Sequence, residues 1–488
     1  MRPNPASTQH DRRWLILAVL GVAQLMVVLD ATIVNIALPS AQQALGFSDS
    51  SRQWVVTAYA LAFGSLLLIG GRIGDFFGRK RALIVGLAGF AAMSALAGFA
   101  QSFGVLVVAR GLQGAFGALL APAALSILTT TFSEPHERGR AFGIYGAIAG
   151  GGGAIGLLLG GVLTQVLDWR WTMFVNLLFA VPAGLAAAVL MVNERPTARA
   201  KLDLPGTLAA SAGLFALVYG LANAATHGWG ASLTLLGLGA GAVLLATFVT
   251  LQARGRHPLL PLSVVLDRDR GGSFLAIGVV GAGMFGVFLF LTYYLQQTLG
   301  FTPIETGLAF LPMMAAIITT ATLVSTRVLP RTGPRPLIPT GMVLAAIAML
   351  LLTRVGVSTG YATHVLPALM ITGVGMGLVF APAMATATGN VPTEHAGVAS
   401  AMVNTMQQVG GSIGTALLST FAASAAASYV TAHGGPSRTV LTASAVHGYT
   451  TAFWISAGLF LGGALLTSLL LRSGAQELDP GAAPVPAH

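Results

Sequence analysis

Cysteine is absent from all 488 residues. That excludes a disulfide framework, a thiolate metal site and a cysteine nucleophile. Charge is scarce: Asp, Glu, Lys and Arg make up 8% of the chain, against about 25% in an average soluble protein. So little charge cannot keep a surface of this size in water, which excludes a soluble enzyme. With 55% apolar residues, intrinsic disorder is excluded too, because disorder needs low hydrophobicity and high charge. Lysine occurs only at Lys80 and Lys201, against 23 arginines. The 62 glycines follow no G-X-Y period, so the chain is not collagenous. No phosphate-binding GxxxxGK[ST] is present, no carboxylate cluster, and no metal-ligand spacing among the nine histidines. The sequence therefore predicts neither an ATPase power stroke nor an enzyme.

What is there is apolar sequence in long runs. Fourteen stretches approach the ~20 residues that span a bilayer as a helix: 14–36, 54–71, 82–101, 104–130, 141–165, 171–192, 206–225, 231–252, 273–297, 305–326, 336–353, 362–385, 397–426 and 449–471. They predict an all-α membrane protein with fourteen transmembrane helices, not a β-barrel. Residues 1–13 read as a polar cytoplasmic segment; the full-length span after them argues against a cleaved signal peptide. Residues 472–488 read as a disordered cytoplasmic tail.

The basic residues test this count. With the N-terminus inside, twenty of the 25 fall in cytoplasmic segments. Four lie outside (Arg52, Arg170, Arg354 and Arg438), and Arg110 lies within a span. Such a bias predicts both termini in the cytoplasm. The net charge of +10 thus reports topology and implies no nucleic-acid partner.

The chain also repeats itself loosely. Arg72 in GRIGDFFGRKR matches Arg327 in TRVLPRTGPRP, Pro135 and Glu137 match Pro392 and Glu394, and Gly156 of GGAIG matches Gly414 of GGSIG. The offsets predict two parallel six-helix halves, 14–192 and 253–471, with a linker and two inserted helices at 193–252. Parallel halves around a midplane site are the plan of many secondary transporters.

Within the spans, Asp30 (in LDATIVNIALP) is the one acid clearly inside hydrocarbon, where a carboxylate costs roughly 2.5–3.5 kcal/mol on insertion scales. A carboxyl taken out of water favours its protonated form, which suits a group that takes up and releases protons. A structural salt bridge or a helix-end cap is the bland alternative. Arg110 is the only base inside a span. Rise per residue puts it at a depth similar to that of Asp30. Pairing is thus geometrically open, and snorkelling of Arg110 is the alternative. Gly71, Arg72, Gly74, Asp75, Gly78, Arg79 and Arg81 form a cytoplasmic loop that reads as a gate between the halves or as a topology signal. In helix 5, Gly152, Gly156, Gly160 and Gly161 fit bare-backbone packing or bending. Asn35, Tyr59, Gln113, Tyr293, Gln296, Asn404, Gln407 and Gln408 are candidate lining of a substrate cavity, with interhelical hydrogen bonding as the alternative.

These segments resemble the major facilitator superfamily, and within it the fourteen-helix drug:proton antiporters. LDATIVNIALP, GRIGDFFGRKR, ARGLQGAFGA, DWRWTMFVN, TGLAFLP and NTMQQVGGSIG carry the resemblance over nearly the whole chain. It implies the major facilitator fold, a role for Arg110 in proton coupling, and proton-coupled efflux of lipophilic drugs or antibiotics. The energy would come from the proton gradient with no cofactor, in a monomer of the bacterial inner membrane. The family's helix 5 motif carries Gly-Pro where this chain has Gly156-Leu157. Helix 13 lacks the second membrane acid of some dication exporters, which points to neutral or monocationic substrates. A dedicated exporter of one self-made antibiotic, a proton-coupled importer and a non-transporting sensor are the other readings.

Overall fold

The computed structural model describes residues 12–49, 51–132, 134–192, 203–255, 260, 262–389, 391 and 396–472, and every regular element among them is helical. Fourteen long helices follow one another: α1 (Arg13–Leu45), α2 (Gln53–Phe77), α3 (Arg79–Gly98), α4 (Phe103–Thr131), α5 (Pro135–Val166), α6 (Trp171–Leu190), α7 (Leu204–His227), α8 (Ser232–Arg254), α9 (Arg268–Tyr293), α10 (Pro303–Leu323), α11 (Pro334–Leu352), α12 (Leu366–Thr388), α13 (Ala396–Ala432) and α14 (Arg438–Leu470). Among the described residues, thirteen are long and apolar enough to cross a membrane. The other is α2, whose shorter apolar stretch is Gln53–Leu67.

Several helices outrun the apolar stretches that announced them. α1 continues to Leu45 through Pro39, and α14 starts at Arg438 rather than near 449. Hydropathy marks only the part of a helix that lies in hydrocarbon, whereas backbone hydrogen bonding carries the helix on into the interface. GRIGDFFGRKR is likewise not a loop. α2 runs to Phe77 and α3 starts at Arg79, so the connection is Gly78 alone. Its φ of 94° is a conformation that L side chains rarely adopt.

The repeat is realised in the packing. α1 packs on α5 and α6 as α9 packs on α13 and α14; α4 packs on α2 and α3 as α12 packs on α10 and α11. Gly156 lets α5 close on α1 at Leu29, and Gly414 lets α13 close on α9 at Ala282, at equivalent places in the two halves. Pro392 and Glu394 lie outside the described residues.

Two seams join the halves, α2 against α13 and α5 against α10. The inserted pair α7–α8 treats them unequally. α7 packs on both α2 and α13, while α8 packs chiefly on α7 through the close approach of Gly220 and Gly237. The outer side of α8 exposes Leu233, Leu235, Leu236 and Val243, as a lipid-facing surface should.

Contacts between the halves gather at one end of the bundle. At the face that carries Arg13, Lys80, Arg140, Arg268 and Arg472 (the charged face), the N-terminal half has an apolar cluster of its own, from Ile16 through Phe132 to Met191. Toward the far face, one core runs through both halves, joining Leu29, Ile33 and Leu157 to Phe288, Phe310 and Met313. The α5 glycines show the same gradient. A Cβ built at Gly146 or Gly151 meets nothing within 4 Å, while one at Gly161 stands 2.6 Å from the Pro303 carbonyl oxygen. The halves are closed at the far face and separate toward the charged face.

Candidate functional site

Asp30 sits near the middle of α1 and is fully buried, as is Arg110 on α4. Their side chains pair, Arg110 Nη1 standing 2.6 Å from Asp30 Oδ2. The other carboxylate oxygen accepts from Gln113 Nε2 and from Asn176 Nδ2 of α6, both at 2.8 Å. Arg110 is held from further sides. Its Nη1 donates to Gln113 Oε1 at 2.6 Å and its Nε to the Val55 carbonyl of α2 at 3.2 Å. Its guanidinium lies 4.4 Å from the centre of the Tyr59 ring. Gln113 also donates to Ser94 Oγ of α3 at 2.7 Å. Three helices therefore meet on one carboxylate, and the network around it draws in five of the six helices of the N-terminal half.

The local sequence explains the convergence. Arg110 and Gln113 are three apart on one helix face. Arg110, Asn176 and Ser94 all lie within about two turns of the far end of their helices, the level that Asp30 reaches along α1. Gly114 gives α4 room against the backbone of α2 at Tyr59. Inside hydrocarbon such an ion pair survives only if each lone pair and N–H finds a partner, and here three donors reach the two carboxylate oxygens. Asn176 and Ser94 escaped the sequence reading, although their depth was a usable signal.

A second charged feature closes the far face. Arg52, the cap of α2, is 7% exposed. Its guanidinium stacks 3.9 Å from the ring centre of Tyr293 on α9 and 5.7 Å from that of Tyr449 on α14, with Asp49 at 3.4 Å. Nearby, Gln296 Nε2 donates to the Ile36 carbonyl of α1 at 3.0 Å, and Gln165 of α5 accepts from Ile304 N. A cation on an aromatic face is worth about 0.5–2 kcal/mol, more when desolvated. Arg52→Ala is therefore expected to raise the population open at the far face by roughly 2–30-fold. The rate at which a water-soluble thiol reagent attacks Thr292→Cys in the Arg52→Ala background measures it; an unchanged rate would refute the latch.

The eight candidate lining residues are dispersed. Tyr59 and Gln113 belong to the Asp30 network. Tyr293 and Gln296 belong to the far-face closure. Gln407 packs by its carbonyl against Gly281 of α9, and Gln408 lies against Gly64 of α2. Asn35 donates to the Ala31 carbonyl of its own helix while its Oδ1 has no partner among the described residues. Asn404 on α13 is exposed.

Of the seven gate candidates within GRIGDFFGRKR, Gly71 lies against Pro122 of α4 and Gly74 against Ala82 of α3. The neighbouring Lys80 donates to the carbonyls of Ala188 and Met191, both at 2.7 Å, and so satisfies the end of α6. Arg81 is exposed and Arg72 half-buried. The side chain of Asp75 lies outside what the structure describes. On α5, Gly152, Gly156 and Gly160 form a stripe against Leu25, Leu29 and Ile33 of α1, while Gly161 faces α10. Leu157 takes the place of the family proline without interrupting the helix, and its carbonyl lies where Gly307 of α10 comes close.

The geometry describes a transporter built as two halves, and comparison with known proteins agrees. The Major Facilitator Superfamily profile matches residues 20–415. The puromycin resistance protein pur8 of Streptomyces alboniger is 50% identical over 96% of this chain and 93% of its own length. The cephamycin export protein CmcT of Amycolatopsis lactamdurans is 37% identical over 83% of this chain and 84% of its own. Among solved structures, the POT family transporter PepTSo superposes with a TM-score of 0.69 over 93% of this chain and 97% of its own, at 16% identity.

Proposed function

Since the chain belongs to the Major Facilitator Superfamily and is a multi-pass membrane transporter rather than an enzyme, we propose that it exports antibiotic-like small molecules in exchange for protons. The observation that carries the coupling is the buried ion pair of Asp30 and Arg110, with Gln113 and Asn176 on the same carboxylate. The likeness to puromycin resistance and cephamycin export proteins supports the cargo class. The charge bias of the loops supports an inner-membrane orientation with both termini in the cytoplasm. The charged face is then the cytoplasmic one, and the described state is open inward.

Protonation of Asp30 turns an acceptor of three hydrogen bonds into a group that must also donate one. Arg110 then loses its counter-ion and the amides of Gln113 and Asn176 compete for fewer lone pairs. The knot joining α1, α3, α4 and α6 loosens, and Arg110 is left to its contacts with the Tyr59 ring and the Val55 carbonyl. Proton binding thereby alters the packing of the whole N-terminal half, which is what coupling to a rocking motion requires. Substrate binding between the halves favours the paired state and expels the proton.

The test is proton release from the purified protein in proteoliposomes on addition of puromycin and other lipophilic drugs. Release with several unrelated drugs is expected. Release with puromycin alone would favour a dedicated exporter, and no release with any compound would refute drug:proton antiport.

A further inference from the structure

Buried hydroxyls on membrane helices normally donate to the carbonyl one turn back, as Thr420 does to Ala416, Thr372 to Ala368 and Ser456 to Ala452. One strip departs from this. On α13, Thr405, Ser412, Thr415 and Ser419 are each at least nine-tenths buried, and none of their hydroxyls has a partner among the described residues. With Gln408 they recur at steps of three and four residues, so they share one stripe of the helix. Gly64 of α2 rests on Gln408 and the backbone of Val409, which turns that stripe toward α2.

The facing surface of α2 has the same character. Thr57 Oγ1 and Gln53 Oε1 are fully buried and unpartnered. α2 and α13 run antiparallel, so the contact of Gly64 with Gln408 puts Thr57 level with Thr415 and Gln53 level with Ser419. Gln53 also donates to the Ala222 carbonyl of α7, 3.3 Å away. That register brings Ser211 of α7, whose hydroxyl is again unpartnered, to the level of Gly64. α7 covers the membrane side of this seam, with Trp54 of α2 against Tyr219 and Phe421 of α13 against Trp229 beyond its end.

The opposite seam is unlike it. α5 and α10 meet through Gly161 on Pro303, Leu157 on Gly307 and Gly153 on Met314. Among the described residues these two helices carry one buried unpartnered hydroxyl, that of Thr164, rather than a strip, and no helix covers the seam as α7 covers the other. The inserted helices thus lie where polar groups would otherwise face hydrocarbon, in which an unpaired polar group is most costly. Buried donors and acceptors left unpaired in one state call for a partner in another. None of the strip residues is charged.

We propose that Thr57, Ser412, Thr415 and Ser419 form an exit-side binding strip for uncharged hydroxyl- or amide-bearing groups of the transported molecule. The strip is closed in the state described and exposed when the far face opens, and α7 keeps lipid out of it. This rests on the export reading above and adds to it the chemistry of the cargo.

The absence of native cysteine makes the test direct. Thr57→Cys, Thr415→Cys and Ser419→Cys are each introduced alone, and their reaction with a water-soluble maleimide is followed in proteoliposomes. Thr164→Cys, whose hydroxyl position is buried and unpartnered near the far end of α5 in the other seam, reports opening without touching the strip. Puromycin, which carries both hydroxyl and amide groups, is the probe. Saturating puromycin is expected to slow the three strip cysteines about tenfold while changing Thr164→Cys less than twofold. Thr415→Val is expected to raise the concentration needed for protection of Ser419→Cys about tenfold, as loss of one hydrogen bond should, and Thr415→Ser to restore it. Equal slowing at Thr164→Cys would mean that puromycin only shifts the opening equilibrium, and would overturn the proposal. Strip cysteines that never react, or react without protection, would overturn it as well. If wild-type protein moves no puromycin and no other drug, the export reading itself fails and the strip loses its cargo, a result visible in the transport assay before any labelling.

Discussion

Asp30→Asn is expected to abolish drug-driven proton release and to destabilise the protein, and adding Arg110→Gln is expected to restore stability but not coupling. The first variant leaves Arg110 buried without a counter-charge, at about 3–5 kcal/mol by comparison with other buried pairs broken on one side. It also offers one acceptor oxygen where the native carboxylate offers two to three donors. The double variant removes the stranded charge and leaves a set of neutral amides that can pair with one another. The measurements are thermal unfolding in detergent beside proton release in proteoliposomes. Drug counterflow, which needs no proton, is expected to survive in the double variant. Full proton-driven efflux in either variant would refute the assignment of Asp30. A double variant no more stable than Asp30→Asn would mean that the network holds Arg110 through the Val55 carbonyl and the Tyr59 ring alone.

Gly161→Leu is expected to hold the halves apart at the far face and to stop turnover. A Cβ at this position would stand 2.6 Å from the Pro303 carbonyl oxygen and 2.9 Å from Ile304 Cα. Both obstacles are backbone and neither can swing aside. Forcing a side chain into such a contact costs about 1–3 kcal/mol, which lowers the far-closed population roughly 5–150-fold. Turnover is expected to fall in proportion, and reaction of Thr292→Cys with a water-soluble thiol reagent to rise. Gly462→Leu, where a side chain meets nothing within 4 Å, serves as the control and should leave turnover unchanged. Normal turnover in Gly161→Leu would show that the far face closes elsewhere, with Arg52 on Tyr293 the first place to look.

These two predictions concern the same motion at different points. Asp30 lies inside one half and sets how its helices pack; Gly161 lies between the halves and sets whether they close. Loss of coupling with preserved exchange in one, and loss of exchange itself in the other, would separate the proton step from the rocking step.

Much of this molecule is legible without coordinates because the bilayer is a demanding solvent. It forces backbone hydrogen bonds to be made within each segment, so apolar length alone gave fourteen helices. It makes charge expensive at depth, so Asp30 and Arg110 stood out as the only two charged residues clearly inside spans. The offset between Gly156 and Gly414 announced two equivalent halves, and the packing of each glycine on the first helix of its own half bears this out.

Other features were settled only by the fold. Depth along a helix is one-dimensional and says nothing about azimuth. Sequence placed Asp30 and Arg110 at the same level, but only packing decided that they face each other and that Asn176 and Ser94 face them too. The same limit scattered the proposed cavity: Tyr59, Gln113, Tyr293 and Gln296 are polar or aromatic residues at helix positions, and nothing in their spacing says which neighbour they meet. Helix ends were misjudged where polar residues continue a helix beyond the membrane, as in α14, or where one glycine suffices to turn it, as at Gly78. Arg52 read as a stray external cation until α9 and α14 brought Tyr293 and Tyr449 to it. Local free energies, of burial, helix formation and charge transfer, are written in the sequence residue by residue. Which faces meet depends on how all fourteen helices fill space together, and that is a property of the tertiary structure.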